Sequence, residues 1–141
     1  MPAMIARLAG VAALACAAAA PAGAVGFGPL SKEGIVDGPA KAFYLDLINP
    51  YPVPTEFVVN PVHLDDEERQ EHVRVVPPRI TLGANRSRRI LVVVDHLTVG
   101  ETARFRVCAE RAVDPEGVSV HARVCSKLAA RRIDRAVGNG G

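Results

Sequence analysis

The sequence has little net charge and no long apolar segment. Its 141 residues include 17 Lys and Arg against 15 Asp and Glu, a formal net charge of +2. This near balance gives no electrostatic case for binding nucleic acid. One apolar run, residues 8–20, is too short to cross a bilayer, and no second run is long enough. The sequence therefore favours neither a nucleic-acid-binding protein nor a protein anchored by a transmembrane helix.

The sequence also lacks a catalytic constellation. The four histidines have no metal-ligand spacing with a cysteine or with one another, and we expect them to be solvated. They are His63, His72, His96 and His121. Asp95 beside His96 is similar to part of a triad, but no serine or cysteine lies in a nucleophile-elbow context. There is no glycine-rich phosphate loop. We therefore predict no enzyme activity, no metal, no cofactor and no small-molecule substrate.

The N-terminal segment has the features of a secretory signal peptide. Arg7 supplies a positive charge, residues 8–20 form the apolar region, and Ala22-Gly23-Ala24 is a small-x-small cleavage site. We predict cleavage after Ala24 and a periplasmic location. The alternative is a lipoprotein signal that uses Cys16, although its leucine is not at the usual place. The predicted domains are then a signal peptide over 1–24, one folded domain over 25–133 and a flexible tail over 134–141.

Two cysteines remain after residue 24. In an exported protein, a pair of cysteines is expected to form a disulfide, whereas two free thiols are the alternative. Asp114-Pro115-Glu116-Gly117 has proline and glycine where a tight turn needs them. This turn predicts a hairpin of residues 103–111 and 118–128, in which Cys108 lies opposite Cys125 on the outward face. The sequence therefore predicts a cross-strand disulfide in the last hairpin.

Short runs of Val, Ile and Phe, separated by Gly, Pro, Asn and Asp, fill the rest of the chain. No segment has a sustained helical period. We predict strands near 30–36, 41–48, 55–60, 72–76, 88–94, 103–111 and 118–128. A chain of about seven short strands at this spacing is typical of an all-β, immunoglobulin-like β-sandwich with a single domain.

The alternation within strands predicts which residues form the core. The inward residues are Phe43, Leu45 and Leu47 in one strand, Ile90, Val92 and Val94 in another, Phe105, Val107 and Ala109 in the next, and Val118, Val120, Ala122 and Val124 in the last. Leu91 and Val93 are apolar as well, which indicates a central strand covered on both faces. The last strand is expected at an edge of its sheet, with unpaired main-chain groups.

Three segments of the chain resemble the N-terminal immunoglobulin-like domain of the PapD-like periplasmic pilus-assembly chaperones. The first is VDGPAKAFYLDLIN at 36–49, and the second is VVPPRITLGANRSRRILVVV at 75–94. The third is Glu101 followed by Phe105 and Val107. In order and spacing these markers are similar to the family's strands, and the resemblance covers about residues 29–133.

The resemblance implies a function for the last strand. In that family the strand is inserted into the groove of a fibre subunit that lacks its own final strand, a form of β-augmentation. A lysine on the strand anchors the subunit's C-terminal carboxylate, and Lys127 matches it. Val118, Val120 and Ala122 match the family's groove-filling aliphatics, with Val124 next in the series. Some members also carry a disulfide between the last two strands, which Cys108 and Cys125 resemble. The implied partners are pilus or fimbrial subunits and an outer-membrane usher.

The chain departs from the family pattern in two ways. The family's second carboxylate anchor is an arginine in the first strand, where Glu33 stands here with Lys32 beside it. Arg104 and Arg106 share the outward face with Lys127 and are candidate replacements, although both are equally well explained as solvated charges. In addition, full chaperones have two such domains, whereas this chain has the length of one.

Two alternatives remain open at the level of sequence. The alternating side chains of residues 118–124 could face the domain's own core instead of a partner. The protein could also be an exported structural or adhesion module, such as an accessory pilus subunit. A fibre subunit should carry an N-terminal donor extension, and residues 25–30 are short for one.

Overall fold

A computed structural model describes residues 25–112 and 122–135. These residues form nine strands: β1 Gly26–Gly28, β2 Ser31–Val36, β3 Lys41–Ile48, β4 Thr55–His63, β5 Val73–Val76, β6 Arg79–Leu82, β7 Ser87–Val94, β8 Thr102–Arg111 and β9 Arg123–Arg132. Within the described part of the chain, no helix is long and apolar enough to span a membrane. The signal-peptide segment, Val118, Val120, His121 and most of the expected tail lie outside the described residues.

The strands form a two-layer sandwich, as the sequence predicts. One sheet has the order β1-β3-β7-β5, and the other has the order β2-β9-β8-β4-β6. Large apolar side chains from both sheets fill the space between them and are almost fully buried; they include Phe43, Phe57, Phe105, Leu45, Leu47, Ile90 and Leu128. The inward residues expected for residues 41–48, 88–94 and 103–111 are all buried. Leu91 and Val93 are only half-buried, although β7 is central as expected.

Two of the nine strands were not expected from the sequence. β1 and β6 have three and four residues, and each is joined through proline to a strand of the opposite sheet. The chain passes from β1 to β2 at Pro29-Leu30 and from β5 to β6 at Pro77-Pro78. Proline has no N–H group to donate to a neighbouring strand, so a proline between two apolar runs usually indicates a turn. Here the prolines instead mark the points where the chain changes sheets.

The expectation that the whole last strand lies at an edge was wrong for its second half. β9 pairs antiparallel with β8 and also, from Lys127 to Arg132, parallel with β2. The edges of the five-stranded sheet are therefore β2 and β6. The residues Arg123 to Ser126 pair with β8 alone among the described strands. Only this first half of β9 has an open side.

Asn49 ties the two layers together at one end. It is fully buried at the end of β3, and its Nδ2 donates to the carbonyl oxygens of Val53, Leu82 and Gly83, each at 3.0 Å. Its Oδ1 accepts a 2.9 Å hydrogen bond from the backbone N–H of Tyr51. One side chain thus satisfies main-chain groups of the β3–β4 loop and of the end of β6.

We expect Asn49→Ala to lower the free energy of unfolding by about 2–4 kcal/mol, because it leaves several buried main-chain groups without partners. Urea unfolding followed by circular dichroism measures the change. Asn60→Ala is the matched control, since Asn60 is half-buried in β4 and its side chain bonds to no described residue. Its effect should be within about 0.5 kcal/mol. Equal losses in the two variants would contradict this role for Asn49.

Candidate functional site

The disulfide sets the register of the last hairpin. Cys108 and Cys125 are directly opposite each other and are bonded, with their Cα atoms 4.0 Å apart. The predicted pairing of these cysteines is therefore confirmed. The same register places Arg106 opposite Lys127 and Arg104 opposite Ala129. The bridge closes a sequence separation of 17 residues, so it stabilises the hairpin by about 3 kcal/mol in the chain-entropy model.

The first half of β9 leaves main-chain groups without a strand partner. The backbone N–H of Lys127 donates to the carbonyl of Leu30 at 2.8 Å, so alternate residues of β9 direct their main-chain groups toward β2. Cys125 and Arg123 have the same orientation. They precede Lys127, where the pairing with β2 begins, and no described strand pairs with them on that side. Among the described strands, this short segment is therefore a free edge of the sheet.

The side chains of this segment divide between two environments. Val124 is half-buried and packs against the core, as the alternation predicts. Ala122 is half-buried at the first described position of this part of the chain. Farther along β9, Leu128 and Ala130 lie in the core and Ser126 is fully buried, donating through Oγ to the carbonyl of Pro29 at 2.5 Å. The core-facing alternative therefore holds for Val124, while Val118 and Val120 lie outside the described residues.

Lys127 lies in a groove of mixed charge on the outward face of the five-stranded sheet. The groove has a volume of about 330 Å³, and its lining includes Lys127, Arg104, Glu33 and Asp65. Lys127 and Arg104 are exposed, and neither forms an ion pair with another described residue. A second groove of about 520 Å³ adjoins it, and both are lined by Glu33, Arg104 and Ala129. Two cations that have no ion-pair partner among the described residues therefore face the same groove.

Glu33 lies within this groove, whereas Lys32 does not share its side of β2. Glu33 pairs with Ala129, which in turn pairs with Arg104, so the three residues form one row across the sheet. Lys32 points to the opposite face, and its Nζ lies 3.4 Å from the carbonyl oxygen of Tyr44. The carboxylates of Glu33 and Asp65 thus oppose the positive charges of Lys127 and Arg104 in this groove.

The side chain of Arg106 binds the end of β4 and the 64–68 loop. Its guanidinium donates to the carbonyls of His63 at 3.2 Å and Asp66 at 2.8 Å, and to the carboxylate of Glu67 at 3.0 Å. Arg123 pairs with the other oxygen of Glu67. The acidic turn therefore holds two arginines of the last hairpin, and of the two predicted arginine anchors only Arg104 remains without an ion-pair partner among the described residues.

The structure also brings together two histidines whose spacing along the chain gave no sign that they are neighbours. His72 and His96 are exposed, as expected, but their rings are 4.9 Å apart and both lie next to Asp95. The hydrogen bond from His96 is the main cause that lowers the pKa of Asp95, with the positive charges of His96, Arg74 and His72 adding to it. A search for pairs at fixed sequence spacing does not detect such a cluster, because the two histidines flank different strands, β5 and β7.

No protein-family model matches the sequence, and no curated protein sequence matches it. Solved structures resemble it in fold. The Escherichia coli chaperone DraB is 17% identical with a TM-score of 0.61, over 77% of this chain and 55% of that chain. A chain in the complex of the Salmonella enterica SafA pilin with the SafB chaperone is 20% identical with a TM-score of 0.63, over 77% of this chain and 54% of that chain. This protein therefore spans a little over half the length of these matches.

A domain of a different protein is equally similar. The seventh PapD-like domain of human CEP192 is 14% identical with a TM-score of 0.63, over 95% of this chain and 99% of that domain. At such identities the likeness establishes the fold alone. The immunoglobulin-like sandwich of the PapD-like chaperones, expected from the sequence, is confirmed. The same fold also occurs in a protein that is not named as a chaperone.

The two arginines beside Glu67 should make its contribution to stability depend on pH. The hydrogen bonds from Arg123 first and Arg106 second hold the pKa of Glu67 below its ordinary value of 4.5. A carboxyl whose pKa is lower when folded stabilises the protein above its unfolded pKa and loses this effect as pH falls through the folded pKa. We therefore expect Glu67→Gln to lose less stability than the wild type between about pH 5 and pH 3.

Urea midpoints measured across this pH range test the prediction, and an NMR titration of the Glu67 carboxyl gives its pKa directly. Arg123→Ala should raise that pKa more than Arg106→Ala does, because Arg123 contributes most to the shift. A Glu67 pKa at or above the ordinary value in the wild type would show that the loop does not hold the two arginines in solution.

Proposed function

We propose that this protein is exported to the periplasm and assists pilus or fimbria assembly by adding the first half of its last strand to a fibre subunit. The observation that carries the proposal is the open side of β9 between Arg123 and Ser126, next to the groove that contains Lys127 and Arg104. Backbone pairing would supply affinity, and the groove would fix the end of the partner strand.

The strand geometry supports this mode of binding. Main-chain groups of Arg123 and Cys125 point away from β8, and the disulfide at Cys125 holds this segment in place. A fixed edge loses little conformational entropy when it pairs with an incoming strand. Val118, Val120 and Ala122 would extend the edge upstream and place alternate apolar side chains in the partner's groove, whereas Val124 packs against the protein's own core.

The charges of the groove support a carboxylate as its ligand. Lys127 and Arg104 flank the same depression, and an arginine can bind a carboxylate with two parallel hydrogen bonds. Glu33 and Asp65 oppose such a ligand, because carboxylates in one groove repel each other. We infer that Lys127 is the main anchor, that Arg104 takes the place of the family's first-strand arginine, and that Arg106 acts indirectly by ordering the 64–68 loop.

The proposed partners follow from the comparisons and the sequence. The SafA–SafB structure is a complex of a pilin with a chaperone, and its fold likeness to this chain supports a fimbrial subunit as the partner. The predicted signal peptide and the disulfide agree with an oxidising, periplasmic compartment. An outer-membrane usher is a further proposed partner. No role in catalysis is proposed.

A structural or adhesion module is the second candidate function. The match to 99% of one PapD-like domain of CEP192 favours it, because this fold also occurs in a protein that is not named as a chaperone. The two functions differ in one respect that can be measured. A chaperone-like protein would need the open strand and Lys127 for capture of its partner, whereas a structural module would not.

We expect Lys127→Ala to weaken capture of a fibre subunit about 10- to 100-fold, because a hydrogen bond to a charged group contributes about 1.5–3 kcal/mol. The measurement is a periplasmic pull-down with the tagged protein, mass spectrometry of the captured proteins, and titration of the partner so identified. Arg131→Ala is the matched control, since Arg131 is an exposed cation on the same strand and the same face but lines the adjoining groove and not the one that contains Lys127.

Glu33→Gln should have the opposite effect and strengthen capture, because it removes one of the two negative charges of the groove. Capture of the same partners at the same level by the wild type, Lys127→Ala and Glu33→Gln would contradict the anchor. It would then favour the structural module.

We expect Val120→Asp to abolish capture while the domain stays folded, because a carboxylate cannot enter an apolar groove without a large desolvation cost. Ser119→Asp is its control, since the alternation places Ser119 on the opposite face of the strand. Both variants are compared by pull-down and by thermal unfolding. Undiminished capture by folded Val120→Asp would contradict strand donation.

A further inference from the structure

Backbone pairing fixes two of the three residues of a histidine–aspartate cluster. His72 precedes β5 and Asp95 follows β7, and the backbone N–H of Asp95 donates to the carbonyl of His72 at 3.0 Å. This bond continues the antiparallel register in which Val73 lies opposite Val94. His72 and Asp95 are therefore a cross-strand pair, and their side chains lie on the same face of the sheet.

An unusual backbone conformation brings in the third residue. Successive residues of an extended strand point to opposite faces, so His96 would normally point away from Asp95. His96 instead has a φ of 56°, in the left-handed region that residues other than glycine rarely adopt. As a result its Nδ1 lies 2.6 Å from Oδ1 of Asp95. Strained backbone of this kind tends to occur at functional sites.

The three side chains present a compact set of ligand atoms. Nδ1 of His72 is 4.0 Å from the same Oδ1 of Asp95, and one ligand atom from each of the three residues lies within 4.8 Å of the others. A tetrahedral Zn²⁺ with bonds of about 2.0–2.2 Å requires ligand atoms about 3.4 Å apart. The histidine side chains are 60% and 72% exposed, so both rings can make this adjustment without disturbing the core.

We propose that His72, Asp95 and His96 form a surface binding site for a divalent transition metal, with Zn²⁺ as the ion that fits best. Two imidazoles and a carboxylate are a ligand set that zinc accepts, and imidazole excludes Mg²⁺ and Ca²⁺ as preferred ions. In the metal-bound form His96 carries its proton on Nε2, which frees Nδ1 to coordinate. Arg74 approaches the other carboxylate oxygen of Asp95, Oδ2, at 3.9 Å, which leaves Oδ1 for the metal.

Such an ion would hold an edge of the sandwich in place. β5 is an edge strand that pairs only with β7 in its sheet, and the 95–101 loop leads from β7 into β8. A metal bound between them would join the start of β5 to that loop. Because an ion that binds only the folded state stabilises it by mass action, Zn²⁺ should raise the unfolding temperature.

Isothermal titration calorimetry with ZnCl₂ tests the proposal on the purified protein, free of any histidine tag. We expect one Zn²⁺ per chain in the wild type. His72→Ala and His96→Asn should each bind at least about tenfold more weakly, since even the loss of an outer partner of a ligand weakens metal affinity by about 10- to 100-fold. Asparagine is chosen at position 96 because it tolerates positive φ, so the fold is preserved.

His63→Ala is the matched control, because His63 lies at the end of β4 and is not a member of the cluster. It should bind Zn²⁺ as the wild type does. Thermal unfolding with and without ZnCl₂ gives a second readout, in which the metal raises Tm for the wild type and His63→Ala but not for the two cluster variants. No heat of binding in the wild type, or equal affinity in all four proteins, would overturn the proposal.

Discussion

The register of the β8–β9 hairpin is the constraint on which the rest of the candidate site depends. Side chains alternate between the two faces of a strand, so a slip of one residue would move Lys127 from the outward face into the core. The Cys108–Cys125 bridge excludes that slip, because the two cysteines can bond only when they lie directly opposite each other. With this pair fixed, Arg104 and Lys127 both face outward and Leu128 enters the core. The disulfide therefore positions the surface as well as stabilising the hairpin.

A second feature follows from where β2 begins. The parallel pairing of β2 with β9 starts at Ser31 opposite Lys127, so one strand of the sheet has two different environments along its length. From Lys127 onward it is an interior strand whose alternate side chains fill the core. Before Lys127 one side is open among the described strands. The alternating side chains of β9 thus face the protein's own core on both sides of Lys127, whereas the main-chain edge is covered by β2 only from Lys127 onward.

Charge is distributed unevenly over the same face. Glu67 engages two arginines of the hairpin, Arg106 and Arg123, and thereby orders the acidic loop against the sheet. Arg104 and Lys127 form no such pairs with described residues and line a groove together with Glu33. In the other sheet, the β5–β7 ladder places His72 opposite Asp95. Each cluster is a consequence of strand register, and each is assembled from residues distant in the sequence.

The sequence by itself determined the sandwich, the inward residues of β3, β7 and β8, and the disulfide, because these follow from local alternation and from one tight turn. Tertiary structure alone decided that the chain crosses from one sheet to the other at Pro29 and at Pro77-Pro78, and that β2 pairs with the second half of β9. It also decided that Glu67 binds Arg106 and that His72 meets His96. Pairing between distant strands depends on how the two layers close over a common core, and no local pattern records which strand becomes the neighbour of another.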